Sequence, residues 1–467
     1  MNNIKNMLND RSFLKKTFAL TVPVTLQNLL NNLLNLADTL LIGQLGETSV
    51  AAVGLANKVF FVFSLLMFGI CSGSGILASQ YYGKRELLNI KRVLRMSLII
   101  GVAGSFLFLI PGIFFPKLVM RIFTPDQEMV AIGATYLAVI AISYPITAVT
   151  NSYIAILRSM NYVKLPVLIT TIAIVLNIIL NYGFITGKMG LPQLGVAGSA
   201  LATVIARIVE FSLLQISIRL TKPGDDSVGD FIHAKYDKEK ENKVAFINSN
   251  FIHKYLHTAS PVIVNEFMWG LGITMYSLVY GRMGNSATAA ITMTSSVDQI
   301  AMVFFFGISN AAAVILGNDL GADELNKAKE HAKNYLLLQL ILSLAGALLT
   351  FILRDAIVSI FPASKLVEDY IRLNITVLAL YIPVRAINTL IIVAILRSGG
   401  DTIAALFLDI SGVWLIGIPM AVIGGLIFHL PIYYVYAMVL IEEIYKAIFG
   451  FIRYRQKKWL KNIVSEG

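Results

Sequence analysis

Long apolar stretches, separated by short polar or glycine- and proline-bearing segments, run through nearly the whole chain. A helix that spans the hydrocarbon core of a bilayer needs roughly 20 apolar residues, so this pattern predicts twelve membrane-spanning helices. The predicted spans are 17–42, 49–79, 93–115, 130–157, 165–185, 196–218, 257–281, 287–316, 334–353, 373–396, 403–427 and 432–452. We therefore predict an all-α integral membrane protein.

The second half of the chain repeats the first at a constant spacing of 238 residues. The recurring positions include Pro23, Gly43, Gly46, Gly69 and Gly83, which return as Pro261, Gly281, Gly284, Gly307 and Gly321. Each repeat holds six predicted helices, an even number, so both repeats enter the membrane from the same side. Parallel repeats of this kind predict two six-helix lobes, related by a pseudo-twofold axis along the membrane normal, with a cleft between them.

A long polar segment separates the two repeats. Residues 219–254 carry interspersed acidic and basic side chains and only scattered apolar positions, which is typical of a linker. The predicted division of the chain is an N-terminal lobe at 1–225, a cytoplasmic linker at 226–250 and a C-terminal lobe at 251–467.

Composition and charge agree with a protein embedded in lipid. Hydrophobic residues make up 57% of the chain and charged residues 14%, and the mean hydropathy is +0.73. Lysine and arginine concentrate in the segments on the side of the amino terminus, which predicts that both termini are cytoplasmic. The net charge of +11 follows from this topology and does not indicate a nucleic-acid partner. The single cysteine, Cys71, offers neither a disulfide framework nor a cysteine metal site.

Several motifs in both repeats resemble a known transporter family. They are Leu36-Ala37-Asp38-Thr39, Gly43-Gln44-Leu45-Gly46, Ala51-Ala52-Val53-Gly54, Leu157-Arg158-Ser159, Gly195-Val196-Ala197-Gly198 and Arg453-Tyr454-Arg455. Nearly the whole chain resembles the multidrug and toxic compound extrusion (MATE) transporters. The resemblance implies a multi-pass antiporter of the bacterial plasma membrane, in which Na⁺ or H⁺ enters while a drug-like, often cationic organic compound leaves.

Asp38 is the most informative ionisable residue in the predicted spans, because a charge in hydrocarbon is costly unless it is paired, hydrated or protonated. By helical rise, Asp38 lies about 8 Å below the outer end of the first helix, and Asn181 lies at a similar depth on the fifth. Asn177 is one helical turn deeper on the same face as Asn181, and Thr203 lies about 10 Å into the sixth helix. These oxygen-bearing side chains suit a weakly held monovalent cation, or a proton on the carboxylate alone.

In the MATE family these four positions correspond to the cation site of the amino-terminal lobe. Members often carry a second aspartate where this chain has Asn181, which weakens the case for tight Na⁺ binding and leaves protonation of Asp38 open. A purely structural role, in which Asp38 bonds neighbouring helices, is the alternative.

Glu266 is the secondary candidate, in the C-terminal lobe. It matches a carboxylate that some family members use for cations, but an arginine, Arg385, stands in the stretch where those members have a partner aspartate. Helical rise places both residues about 14 to 18 Å from the cytoplasmic face, so we expect an ion pair between Glu266 and Arg385 in preference to a cation site.

Other polar residues in the spans are weaker candidates. Substrate contacts in the cleft are expected from Gln27, Asn31, Asn35, Lys58 and Asp298. We expect Arg207 and Glu210 to neutralise each other, because they lie three residues apart on one helix. We also expect Glu442, Glu443 and Lys446 to pair or to snorkel toward the interface.

Three functional classes fit a chain of this kind. Cation-coupled export of organic compounds is the predicted function, and a flippase or exporter of lipid-linked saccharide precursors is the alternative, which would favour a more cationic cavity. An intramembrane enzyme should show clustered histidine and acidic ligands at membrane depth, so we do not expect an enzyme. His253 and His257 have no third ligand nearby, and no metal site is predicted. The expected partners are the organic substrate, Na⁺ or H⁺ and the lipid bilayer, with no other cofactor, and the protein is expected to be a monomer.

Overall fold

The structure is a computed structural model that describes residues 7, 10–222, 227–234, 248–361 and 363–465. Within these ranges the regular secondary structure is helical, and no strand occurs. The helices are α1 (Arg11–Gly43), α2 (Glu47–Gly83), α3 (Leu87–Phe114), α4 (Pro116–Phe123), α5 (Gln127–Ile140), α6 (Ser143–Ser159), α7 (Lys164–Thr186), α8 (Gly195–Leu220), α9 (Ser227–His233), α10 (Ser249–Arg282), α11 (Asn285–Gly321), α12 (Leu325–Ile352), α13 (Arg354–Ile360), α14 (Lys365–Leu396), α15 (Thr402–Ile427), α16 (Ile432–Val439) and α17 (Ile441–Arg455). Most of the predicted linker lies outside the described residues.

The predicted all-α membrane fold is confirmed. Over the described residues, nine helices are long and apolar enough to cross a bilayer, and the pair α5 and α6, bent by 47°, makes a tenth candidate span. The first predicted span lies in α1, where four asparagines, Asn28, Asn31, Asn32 and Asn35, reduce the hydropathy. The last lies in α16 and α17, which are separated by a turn at Leu440.

The helices form two compact units whose boundaries fall inside two of the helices. The N-terminal unit comprises Leu26–Tyr82 and Glu86–Ile263, and the C-terminal unit comprises Met1–Thr25, Gly83–Arg85 and Val264–Gly467. The boundary in α1 follows Pro23 by two residues, and the boundary in α10 follows Pro261 by two residues. Each helix therefore changes unit next to a proline, which removes a backbone hydrogen bond and weakens the helix at that point.

In the N-terminal unit, the first part of α10 packs closely on α2. A Cβ added at Gly69 would lie 2.7 Å from Ile263 Cα, and one added at Gly73 would lie 2.7 Å from Ala259 Cα. The hydroxyl groups of Ser74 and Tyr255 form a hydrogen bond of 2.7 Å at the same interface. The absence of side chains at these glycines lets the two helix backbones approach each other.

The C-terminal unit repeats this arrangement with the first part of α1. Gly307, the repeat partner of Gly69, leaves the space that Thr25 fills. Nearby, the hydroxyl groups of Thr17 and Tyr335 lie 2.9 Å apart, and the ring centroids of Phe13 and Tyr335 lie 4.8 Å apart in an edge-to-face contact. The two ends of α1 are thus held in different units, so α1 is a covalent link between them.

Candidate functional site

Asp38 on α1 and Asn181 on α7 are in direct contact within the N-terminal unit. The Nδ2 atom of Asn181 donates a hydrogen bond of 2.6 Å to Asp38 Oδ1. Asp38 lies five residues before α1 ends at Gly43, and Asn181 lies five residues before α7 ends at Thr186, which corresponds to a depth of about 8 Å in each helix. Asn181 is fully buried and Asp38 is half-buried.

Asn177 and Thr203 form a second contact beside this pair. Asn177 Nδ2 donates to Thr203 Oγ1 at 3.1 Å, and the threonine hydroxyl donates to the backbone carbonyl of Ser199 at 3.2 Å. Asn177 lies one turn below Asn181 on α7, so both amides are presented on the same helix face. The structure therefore places the four residues expected at the cation site on three helices, α1, α7 and α8.

The two amides have unused acceptor atoms. The Oδ1 atoms of Asn177 and Asn181 are buried and accept no hydrogen bond from any described residue. A buried polar atom without a partner is costly in a dry interior. Amide and carboxylate oxygens are also the ligands that hard cations prefer. The region around Asp38 thus combines a membrane-embedded acid with spare oxygen acceptors.

A second polar group in the N-terminal unit was only partly expected from the sequence. Gln27 Nε2 donates to Thr170 Oγ1 at 3.1 Å, and Thr170 Oγ1 donates to Glu210 Oε1 at 2.8 Å. Arg207 pairs with the other oxygen of Glu210 at 2.7 Å, which confirms the expected neutralisation. The sequence indicated Glu210 as the partner of Arg207, but the residue type of Thr170 gave no sign of its role.

The residues expected at a substrate cleft differ in their exposure. Gln27 is buried and its amide is engaged with Thr170, so in this conformation it is a structural residue of the N-terminal unit. Asn31 is half-buried, and Asn35 and Lys58 are exposed. Contact of Asn31, Asn35 and Lys58 with substrate stays a prediction.

In the C-terminal unit, Glu266 pairs with a different arginine from the one expected. Glu266 Oε1 lies 2.9 Å from Arg397 Nη2, and Arg397 is almost fully buried. The expected ion pair between Glu266 and Arg385 is wrong. Helical rise gives the depth of a residue but not the helix face on which it lies. The π-helical turn at Leu390–Leu396 further changes the face on which Arg397 emerges from α14.

Arg385 is instead shared by two acids. It pairs with Asp298 of α11, and its Nε atom lies 3.7 Å from Glu443 Oε1 on α17. Asn388, one turn further along α14, donates to Glu443 Oε2 at 2.8 Å. Asp298, which was expected to contact substrate, is thus held by a salt bridge in this conformation.

Lys446 of α17 is also shared by two acids. The expectation that Lys446 forms an ion pair is confirmed. Its Nζ atom lies 2.9 Å from Asp409 Oδ1 and 3.5 Å from Glu442 Oε1. Asn265 Nδ2 donates to Asp409 Oδ2 at 3.0 Å, and the Tyr276 hydroxyl donates to Glu442 Oε2 at 2.6 Å. The C-terminal unit therefore contains an extended ionic network inside the membrane, with contributions from α10, α11, α14, α15 and α17.

Comparison with known proteins identifies the class of fold and then the family. Like this chain, the Vibrio cholerae MATE transporter VcmN in its bent form is a helical membrane protein. It aligns with a TM-score of 0.83 and 19% identity over 96% of this chain and 97% of its own. The profile of the MatE family matches residues 23–183 and 261–423, together more than half of the chain.

Two sequence relatives extend over almost the full length. An uncharacterized transporter of Bacillus subtilis, YisQ, is 24% identical over 97% of this chain and 96% of its own length. A probable multidrug resistance protein of Thermotoga maritima, NorM, is 23% identical over 96% of this chain and 94% of its own length. The chain belongs to the MATE family of multidrug efflux transporters, multi-pass membrane proteins that carry small molecules.

Proposed function

We propose that this protein exports organic, often cationic, drug-like compounds across the bacterial plasma membrane in exchange for entering Na⁺ or H⁺, by alternating access. The observation that carries the proposal is the contact between Asp38 and Asn181, in which a membrane-embedded carboxylate lies beside a buried amide with a free oxygen. An acid at this depth is stable only when it is paired or when it holds a proton or a cation. Among the described residues no salt bridge to Asp38 is formed, so its carboxylate is available to a proton or a cation.

The amide of Asn181 supports a change between two states of this site. In the described conformation its NH₂ group faces Asp38, which suits an ionised carboxylate without a bound cation. Rotation of the amide by half a turn would place Oδ1 beside the carboxylate, where it can coordinate a cation or accept a hydrogen bond from protonated Asp38. Binding of the ion would therefore change the hydrogen bond between Asp38 of α1 and Asn181 of α7.

The course of α1 supports coupling of this change to transport. Asp38 lies in the part of α1 that belongs to the N-terminal unit, whereas Thr17 and Phe13 anchor the other end in the C-terminal unit. Pro23 weakens the helix between these ends. A rearrangement at Asp38 is thus transmitted along a helix that both units share. We further propose that both termini face the cytoplasm, that the protein acts as a monomer and that no cofactor other than the ion is required.

Transport by the purified protein in liposomes tests the proposal. Ethidium serves as the exported probe, and Na⁺ and H⁺ gradients are imposed separately across the membrane. Ethidium movement against its own gradient that is driven by one of the two ions supports cation-coupled export. Equal ethidium movement with and without both ion gradients would contradict it.

A further inference from the structure

The membrane-embedded network of the C-terminal unit contains more acids than bases. Its acids are Glu266, Asp298, Asp409, Glu442 and Glu443, and its bases are Arg385, Arg397 and Lys446. Glu266 and Arg397 balance each other, and two groups remain in which two acids share one base. In water such an excess of charge is screened, but in a low-dielectric interior it is strongly unfavourable.

The two unbalanced groups differ in their access to water. The group formed by Asp298, Arg385 and Glu443 retains 19%, 22% and 12% of its side-chain exposure, so hydration can offset part of its negative charge. In the other group Asp409 retains 15%, but the side chains of Glu442 and Lys446 retain only 8% and 4%. By helical rise, Glu442 lies ten residues, about 15 Å, from the start of the last predicted span.

The hydrogen-bond partners distinguish Glu442 from the other acids. Asp409 is bonded to the ammonium group of Lys446 and to the amide NH₂ group of Asn265, and both of these only donate. Glu443 likewise receives the amide NH₂ group of Asn388 and faces Arg385. Glu442 Oε1 faces the ammonium group of Lys446 at 3.5 Å, but its Oε2 is bonded to the hydroxyl group of Tyr276, which can donate or accept.

The geometry around Tyr276 accommodates both protonation states of Glu442. With an ionised Glu442, the tyrosine hydroxyl donates to Oε2 at 2.6 Å. With a protonated Glu442, the acid can donate to the tyrosine oxygen, and the hydroxyl hydrogen can turn to the backbone carbonyl of Val413, which lies 3.5 Å away. No side chain has to move for this exchange of donors.

An independent observation indicates that the network has acceptors to spare. The Oδ1 atom of Asn265, whose side chain bonds Asp409, is buried and accepts no hydrogen bond from the described residues. Asn265 itself is only 2% exposed. A buried network that has excess negative charge and an unused acceptor is stabilised by an added proton and has no need of a further oxygen ligand.

Two glycines of α15 leave the space in which these groups lie close together. A Cβ at Gly417 would overlap the Tyr276 hydroxyl and Glu442, and a Cβ at Gly412 would overlap the Lys446 side chain. Both glycines bound the π-helical turn Gly412–Gly417, and π turns within α-helices occur frequently at functional sites. The close contact of Lys446, Glu442 and Tyr276 therefore depends on a specific local geometry of α15.

We propose that Glu442 is a proton-binding site, in which the carboxylate takes one proton from water and becomes neutral, with Tyr276 as its hydrogen-bond acceptor. A proton fits better than a metal cation, because the ammonium group of Lys446 already lies 3.5 Å from Glu442 and would repel a second cation.

The titratable groups around Glu442 are Tyr276 and Tyr280 of α10, Asp409 of α15, and Glu443 and Lys446 of α17, with Arg385 of α14 and Asp298 of α11 beyond Glu443. Among the described residues Lys446 is the cation that Asp409 and Glu442 share, so a movement that separates it from Asp409 changes the proton occupancy of Glu442.

Infrared spectroscopy of the purified protein in lipid nanodiscs tests the proposal, because a protonated carboxylic acid has a carbonyl band that a carboxylate lacks. At neutral pH the wild type is expected to show this band, and Glu442→Gln is expected to lose one component of it. Glu443→Gln and Asp38→Asn are expected to retain that component, so the result is independent of the role of Asp38. Tyr276→Phe is expected to retain the component at a shifted frequency, because the protonated acid loses its hydrogen-bond acceptor. If Glu442→Gln does not fold, this variant tests the assignment in its place.

A further variant tests the charge balance itself. Asp409→Asn removes the competing acid, after which Lys446 can neutralise an ionised Glu442, so the component assigned to Glu442 is expected to disappear. An unchanged spectrum in Glu442→Gln, an unshifted component in Tyr276→Phe or a retained component in Asp409→Asn would each overturn the assignment.

Discussion

The hydroxyl oxygens of Thr17 and Tyr335 lie 2.9 Å apart, although 318 residues separate them in the chain. This bond fixes the first part of α1 in the C-terminal unit, whereas Asp38, on the same helix, belongs to the N-terminal unit. Tyr255, the repeat partner of Thr17, is bonded to Ser74, and this bond fixes the first part of α10 in the N-terminal unit. Each unit thus contains a helix segment that comes from the other repeat.

The bond between Thr17 and Tyr335 is expected to stabilise the C-terminal unit. Tyr335→Phe and Thr17→Val should each lower the free energy of unfolding by about 1 kcal/mol, because each removes one hydroxyl of the bond and leaves the other buried hydroxyl without a partner. The double variant should lose less than the sum of the two, since both remove the same bond. Tyr153→Phe is the control, because among the described residues Tyr153 has no such partner. Strictly additive losses in chemical unfolding would show that the bond does not contribute.

Asp38→Asn is expected to abolish ion-driven ethidium export while the protein remains folded in the membrane. Asparagine keeps the size and the hydrogen bond to Asn181 but cannot carry a charge or take up a proton. Export is measured in liposomes, and folding is followed by the thermal unfolding midpoint. Glu128→Gln, which neutralises an exposed acid at the start of α5, is the matched control. Undiminished ethidium export by Asp38→Asn would remove the basis of the coupling proposal.

Asn181→Asp is expected to strengthen Na⁺ binding. A second carboxylate beside Asp38 increases the negative charge around the same cation, and tenfold tighter binding would correspond to about 1.4 kcal/mol. The measurement is the Na⁺ concentration that gives half-maximal transport or half-maximal thermal stabilisation. Asn177→Asp, one turn deeper, shows whether the effect depends on direct contact with Asp38. Weaker or unchanged Na⁺ binding in Asn181→Asp would favour a site that takes only a proton.

Glu266→Gln is expected to lower stability more than it changes ion preference. The substitution removes the carboxylate that lies 2.9 Å from the buried guanidinium of Arg397, which costs about 3 kcal/mol. Thermal unfolding in detergent measures the loss, and Glu330→Gln, an exposed acid on α12, is the control. Altered Na⁺ dependence at an unchanged unfolding midpoint would reverse this ranking and assign Glu266 to ion binding.

Gly73→Ala is expected to destabilise the contact between α2 and α10. The added Cβ would lie 2.7 Å from the backbone of Ala259, so one of the two helices has to shift, at a cost of about 1–3 kcal/mol. Gly54→Ala, in the same helix, has open space and should be neutral or stabilising. The difference between the unfolding midpoints of the two variants isolates the packing effect. Equal midpoints would show that the close packing of α10 against α2 at Gly73 does not contribute to stability.

The sequence by itself determined the helical membrane fold, the internal repeat and the family. Apolar length and repeat spacing are properties of the chain in one dimension, and the bilayer allows few other ways to satisfy the backbone. The depth of Asp38, Asn181 and Thr203 also followed from helical rise, because 1.5 Å per residue holds wherever the helix is regular.

Only the tertiary structure decided which charged side chains on different helices meet, whereas the pair of Arg207 and Glu210 on one helix was predicted from the sequence. The sequence favoured a pair between Glu266 and Arg385, but Arg397 is the observed partner of Glu266. It also gave no sign that Tyr276 contacts Glu442 or that Pro23 and Pro261 adjoin the boundaries of the two units. The physical reason is that depth depends on residue number alone, whereas contact depends on the rotation of each helix, on π turns within it and on the glycines that let backbones approach, all of which are set by packing.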